Sequence, residues 1–131
     1  MDTTSKIEHR VDVLQRSFLR RIANVTKLDK ITNKELYTRT DSQPWSVTIK
    51  RRRMNWLGHL LRLHEDTPAR QALAEYTRQT KRPKGRPKPT WVAQVLKEAR
   101  IVDPNTTLND LETLANDRKA WRAWVARAMA V

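Results

Sequence analysis

The chain has no cysteine, which excludes disulfides and thiolate zinc sites and fits a reducing compartment. Glycine is almost as scarce, with two in 131 residues, and the abundance of Leu, Ala, Arg and Lys beside it points to helices. Phenylalanine occurs once and tyrosine twice, so a core drawn from 38% hydrophobic residues is thin and leans on the five tryptophans. No apolar run is long enough to span a bilayer, and no signal-peptide or lipidation pattern is present, which disfavours a membrane surface as partner. Acids are outnumbered: 14 Asp and Glu face 27 Lys and Arg, a net charge of +13.

That excess is uneven. Residues 1–90 hold 21 cations and 9 acids, whereas residues 91–131 hold 6 and 5. A basic body followed by a near-neutral piece is most simply explained by a polyanionic partner, because phosphate neutralisation releases counterions and long-range attraction steers association.

The densest run of charge is Arg78 to Thr90, where Arg78, Lys81, Arg82, Lys84, Arg86 and Lys88 occur with no acid among them. Pro83, Pro87 and Pro89 disfavour helix there, and Gly85 would let the backbone lie close against a surface. The core Pro83-Lys84-Gly85-Arg86-Pro87 has the form of an AT-hook with lysine in place of the first arginine. Such a strand follows a narrow A·T minor groove, its cations reaching along the floor. The alternative reading of the segment is a solvated linker.

Elsewhere the apolar period is helical. Ile7, Val11, Leu14, Phe18, Ile22 and Val25 form one stripe, predicting a helix from Ser5 to about Val25 whose apolar face needs a partner. Thr32 and Glu35 form a capping box bracketed by Ile31 and Leu36, opening a short helix to about Thr40. A long helix is predicted from Pro44 to about His64, with Trp45, Ile49, Trp56, Leu57, Leu60 and Leu63 on one arc, Met54 and Leu61 widening it, and Trp56 as a core residue. Within it Lys50, Arg51, Arg52 and Arg53 cannot all face water together, so Arg53 is expected to stack on a tryptophan, pair with a carboxylate or snorkel. Gly58, in mid-helix, suggests a close backbone crossing. Further helices follow from Thr67-Pro68 with Ala72, Leu73 and Tyr76 inward, from Thr90, and from Thr107. The last turns carry Trp121, Trp124, Val125 and Ala128 on one side. The fold class is therefore all-α with six or seven helices, divided as a basic helical bundle (1–77), the basic segment (78–90) and a small three-helix piece (91–131).

Catalytic and metal chemistry finds no support. His59 and His64 lie five residues apart, about 140° around a helix, and so do not converge on a metal. Glu65 and Asp66 lack a third ligand at workable spacing. No phosphate loop, Ser/His/Asp pattern or paired acids are present. The chain is expected to be non-catalytic, with no cofactor and no small-molecule substrate.

Three motifs occur in order: Lys50-Arg51-Arg52-Arg53 followed by Trp56-Leu57-Gly58-His59-Leu60-Leu61-Arg62; Gly85-Arg86-Pro87-Lys88-Pro89-Thr90-Trp91; and Asp117-Arg118-Lys119-Ala120-Trp121-Arg122. Together with Val13 to Ile22 and Ile31 to Leu36, they resemble the C-terminal, thumb or post-thumb region of non-LTR (LINE-type) retrotransposon reverse transcriptase polyproteins, over roughly Ile7 to Val125. The resemblance implies a helical segment that helps hold template RNA and target DNA beside a reverse transcriptase core, in the nucleus or shuttling to it from the cytoplasm. The family's Tyr-x-Asp-Asp polymerase turn, its endonuclease domain and the Cys/His knuckle of some members have no counterpart here. A fragment or truncated copy, and a stand-alone binding protein, both remain open. The nucleic-acid-binding residues expected are Lys50, Arg51, Arg52, Arg53, Arg78, Lys81, Arg82, Lys84, Gly85, Arg86 and Lys88, on DNA, RNA or both. Two other readings stand beside this one: a free-standing AT-hook chromatin protein, and a helical protein-interaction module whose charge serves solubility.

Overall fold

The computed structural model describes residues 3–78, 84–85 and 90–130. Among these there are seven α-helices and one 3₁₀ turn, with no strand, so the fold is all-α. The helices are α1 (Thr3–Ile22), α2 (Asn33–Arg39), α3 (Trp45–Arg62), α4 (Pro68–Arg78), α5 (Trp91–Val102), α6 (Leu108–Ala115) and α7 (Arg118–Ala130). Three of the expected starts carry a threonine cap, although the Thr32–Glu35 box is one-sided, Glu35 pairing with Arg39 instead. The Thr32, Thr90 and Thr107 hydroxyls accept the N–H of the residue three positions on, at 3.2, 3.1 and 3.3 Å. At Thr107 the box is reciprocal, because Asp110 accepts the Thr107 hydroxyl and N–H in return. Those two bonds hold the Asp110 carboxyl below its ordinary range.

With so little glycine, other residues take the left-handed positions that end helices. Asn24 (φ 52°) and Asp41 (φ 46°) occupy the position just past α1 and α2. There Val25 N–H bonds Arg20 C=O and Ser42 N–H bonds Tyr37 C=O, the long bond of a Schellman motif. Asparagine and aspartate tolerate this conformation better than other non-glycine residues.

The chain forms two compact units, residues 1–50 and 51–131, and the division falls inside α3. In the first unit α1 packs on α2, burying Leu19 and Leu36. The first turn of α3 is satisfied by α1: Gln15 Oε1 accepts Trp45 N–H at 2.7 Å, and Asp12 accepts the N–H and hydroxyl of Ser46 at 2.9 and 2.6 Å. Gln15, itself buried, also donates to Gln43 C=O at 2.8 Å. Of the apolar stripe expected to be covered by a partner helix, Ile7, Leu14, Phe18 and Ile22 are exposed, while Val11 and Val25 are half-buried. The face of α1 that is used carries Asp12, Gln15 and Leu19 instead.

The second unit has one core, built from Met54, Leu57, Leu60 and Leu61 of α3, Leu73 of α4, Val92, Val95 and Ala99 of α5, Leu111 and Ala115 of α6, and Trp121, Trp124, Val125 and Ala128 of α7. Of the residues expected to face inward on α4, Leu73 does and Ala72 is exposed; the side chain of Tyr76 lies outside what the structure describes. Leu61 and Leu73, before the basic segment, thus share a core with Val92 and Trp121, after it. Gly58 permits this packing: the Trp121 indole lies against its bare Cα.

Trp56 is not in that core. Its surface is 52% exposed while its neighbour Leu57, about 100° further round the helix, is fully buried. The expected arc pooled apolar residues along the whole of α3. Its N-terminal members belong to the first unit, where Trp45 meets Phe18 with ring centroids 6.3 Å apart. The core face of the second unit is centred on Leu57 with Met54 and Leu61, the residues that widened the arc, and so lies to one side of Trp56.

Candidate nucleic-acid interface

The cations of α3 are sorted by the helix. Arg53 points inward and pairs with Glu98 of α5, leaving only 12% and 7% of the two side chains exposed. Gln94, one turn earlier on α5, donates to the same carboxylate oxygen at 3.2 Å. Of the three fates open to Arg53, pairing with a carboxylate is the one observed, and Arg53 therefore leaves the set of exposed candidates. Lys50 is half-buried at the end of the first unit, whereas Arg51 and Arg52 are exposed at the start of the second.

Arg52 begins a stripe. Asn55, Trp56 and His59 follow it at three, four and seven residues, which is one face of a helix, and all four are exposed. The Trp56 and His59 rings lie 5.2 Å apart by centroid at an interplanar angle of 32°. This pair was missed by sequence reasoning, which placed Trp56 inside and weighed His59 only as a metal ligand. The signal available was the spacing of Trp56 from Arg52 and His59, which is as regular as its spacing from Leu60.

No acid interrupts α3: the nearest in sequence are Asp41 and Glu65, on either side of the helix. The exposed cations consequently have no carboxylate on their own helix, and its outward face is positive and aromatic. In the second unit Glu98 meets Arg53 and Glu112 meets Arg70, while Asp66 lies beside His64. Arg62, near the C-terminal end of α3, donates to the C=O of Ala115 at 3.2 Å and so ties α3 to the C-terminus of α6.

The other expected site residues are placed as follows. Arg78 is exposed as the last residue of α4, so the helix includes the first residue of the basic segment. Lys84 and Gly85 form an exposed bend, Gly85 having φ +120° with no atom within 4 Å of where a Cβ would stand. That conformation is one which glycine adopts at little cost and other residues rarely reach. Lys81, Arg82, Arg86 and Lys88, and with them most of the AT-hook-like core, lie outside the described residues.

Among the described residues no cluster of three His, Cys, Asp or Glu could hold a metal ion, and no helix is long and apolar enough to cross a membrane. No family model matches the chain, and no curated protein or solved structure matches it either.

Proposed function

We propose that this chain is a non-catalytic nucleic-acid-binding helical domain of the kind that follows the reverse transcriptase core in non-LTR retrotransposon polyproteins. The observation that carries the reading is the outward face of α3, where exposed Arg51 and Arg52 stand beside exposed Trp56 and His59 on a helix without carboxylates. Arginine supplies phosphate contacts, and exposed aromatic rings are costly on a surface that meets only water. The +13 charge and the run of cations from Arg78 to Lys88 support the same partner. On this reading the domain acts in the nucleus, holding template RNA or target DNA for a polymerase partner.

The test is a competition assay with A·T duplex, G·C duplex, RNA duplex and single strands at two salt concentrations. Binding should weaken with a log–log slope of about −0.9 per duplex phosphate contacted. Arg86→Ala distinguishes the two forms of the reading. An AT-hook loses affinity for A·T duplex selectively, whereas a phosphate contact loses it uniformly and lowers the salt slope by about one.

One observation favours a second reading, that of a protein-interaction module. The stripe of Ile7, Leu14, Phe18 and Ile22 on α1 is exposed and would suit a helix-in-groove contact. Such a contact would depend on salt far less than phosphate binding does.

A further inference from the structure

We propose that Trp56 and His59 form a stacking platform for unpaired bases, with Arg52 engaging the adjacent phosphate, so that the outward face of α3 selects single-stranded over duplex nucleic acid. The proposal rests on the nucleic-acid reading above and specifies which form of nucleic acid the site takes.

Trp56 is the most exposed of the four tryptophans in its unit. Trp121 and Trp124 are almost wholly buried, with ring centroids 5.0 Å apart at an interplanar angle of 39°, whereas Trp91 is 36% exposed. Trp56, on the same helix as the fully buried Met54 and Leu57, turns half of its surface outward. Its one described ring neighbour is His59, itself exposed and one turn on. Two rings inclined by 32° cover one another only in part, so aromatic surface remains open to a third planar group. A nucleobase is such a group, and any base will serve because every base has a π-face.

Pairing state then decides access. In a duplex each base face is covered by its neighbours in the stack, and only the edges and the phosphates are presented. A helix-borne indole can reach a base face only where the strand is unpaired or already splayed. Arg52 lies one helical turn before Trp56, about 6 Å along the axis, and Asn55 lies between them on the same face. A strand running along α3 would thus meet a cation, an amide able to bond a base edge, and two rings. The arrangement combines the electrostatic and stacking elements by which single strands are held without sequence preference.

The experiment uses the whole chain and three fluorescent probes: a short pyrimidine single strand, an abasic strand of the same length, and a blunt duplex. The wild type should bind the base-bearing strand more tightly than the abasic one. Trp56→Ala should lose on the order of 5- to 100-fold on the base-bearing strand, leave abasic and duplex binding unchanged, and be largely rescued as Trp56→Phe. His59→Ala should shift affinity in the same direction by less. Because Trp56 is half-exposed, the variants should melt close to the wild type. Equal losses on all three probes, or none on any, would overturn the platform. So would a wild type that binds base-bearing and abasic strands alike, although nucleic-acid binding would then still stand. A wild type that binds none of the probes would overturn both.

Discussion

Gly58 of α3 presents its bare Cα to the indole of Trp121 in α7, and a Cβ built there would stand 2.9 Å from Trp121 Cδ1 and closer still to Cε2 and Nε1. The indole is buried and its Nε1 has no hydrogen-bond partner among the described residues, so shape holds it in place. On an exposed helix, Gly→Ala would add about 1 kcal/mol of stability. Here overpacking, typically about 1–3 kcal/mol, opposes that gain, and the ring cannot retreat because Trp124 stacks beside it. Gly58→Ala should therefore lower the melting temperature, with circular dichroism as the readout; a rise would mean that the α3–α7 contact is looser than described.

Arg53 and Glu98 join α3 to α5 as a nearly buried pair. Arg53→Met alone should cost about 3–5 kcal/mol, because it strands the carboxylate in the core; the double variant Arg53→Met/Glu98→Leu should recover most of that loss. Chemical denaturation of the two single variants and the double variant closes the cycle. Additive losses would show that the two groups do not meet in solution.

Leu57 and Trp56 are adjacent in sequence and opposite in consequence. Leu57→Ala should cost about 2–5 kcal/mol, as a fully buried side chain does, while Trp56→Ala should cost about 1 kcal/mol or less. Urea unfolding of both variants measures the contrast. If Trp56→Ala proves the more damaging, the inward face of α3 has been assigned to the wrong residues.

Asp12 caps a helix to which it does not belong. Removing its carboxylate leaves the Ser46 N–H and hydroxyl without their acceptor at the α3 N-terminus, and Asp12→Ala should cost about 0.5–2 kcal/mol. Asp12→Asn should lose less, since an amide oxygen can still accept. Thermal melts of the pair decide between them: equal melting temperatures would show that charge, not acceptance, is what counts.

Asp110 gives a pH signature. Its carboxyl is held below the ordinary value of 3.8, chiefly by the Thr107 hydroxyl and then by the Thr107 N–H. A depressed folded-state pKa contributes stability that is present above the unfolded value and lost as pH falls through the folded one. Wild type and Asp110→Ala should accordingly differ in melting temperature at neutral pH and converge as the pH is taken well below 3.8. A gap that persists in strong acid would assign the effect to helix propensity instead.

Local physics was legible in the residues themselves. Helix starts at Thr32, Thr90 and Thr107 follow from a hydroxyl reaching an amide three residues away, and the all-α class follows from apolar period and scarce glycine. Even the close approach at Gly58 could be read, because a mid-helix glycine is unfavourable unless something needs the space. The cations of the candidate site were plain as well, by type and number.

What the tertiary structure decided is which face each helix uses. A helical wheel cannot tell that one helix contributes to two units, or which edge of its apolar arc will be covered, so Trp45 and Trp56 seemed to lie on the arc of Leu57 although neither is buried. It cannot tell which of four neighbouring cations will find a carboxylate 45 residues away, as Arg53 finds Glu98. Nor can it foresee that Gln15 and Asp12 of α1 will complete the first turn of α3 across some 30 residues of chain. Period and capping act within one or two turns and are written in neighbouring residues. Burial, ion pairing and tertiary capping depend on residues distant in sequence, and these contacts turned Trp56 outward beside Arg52.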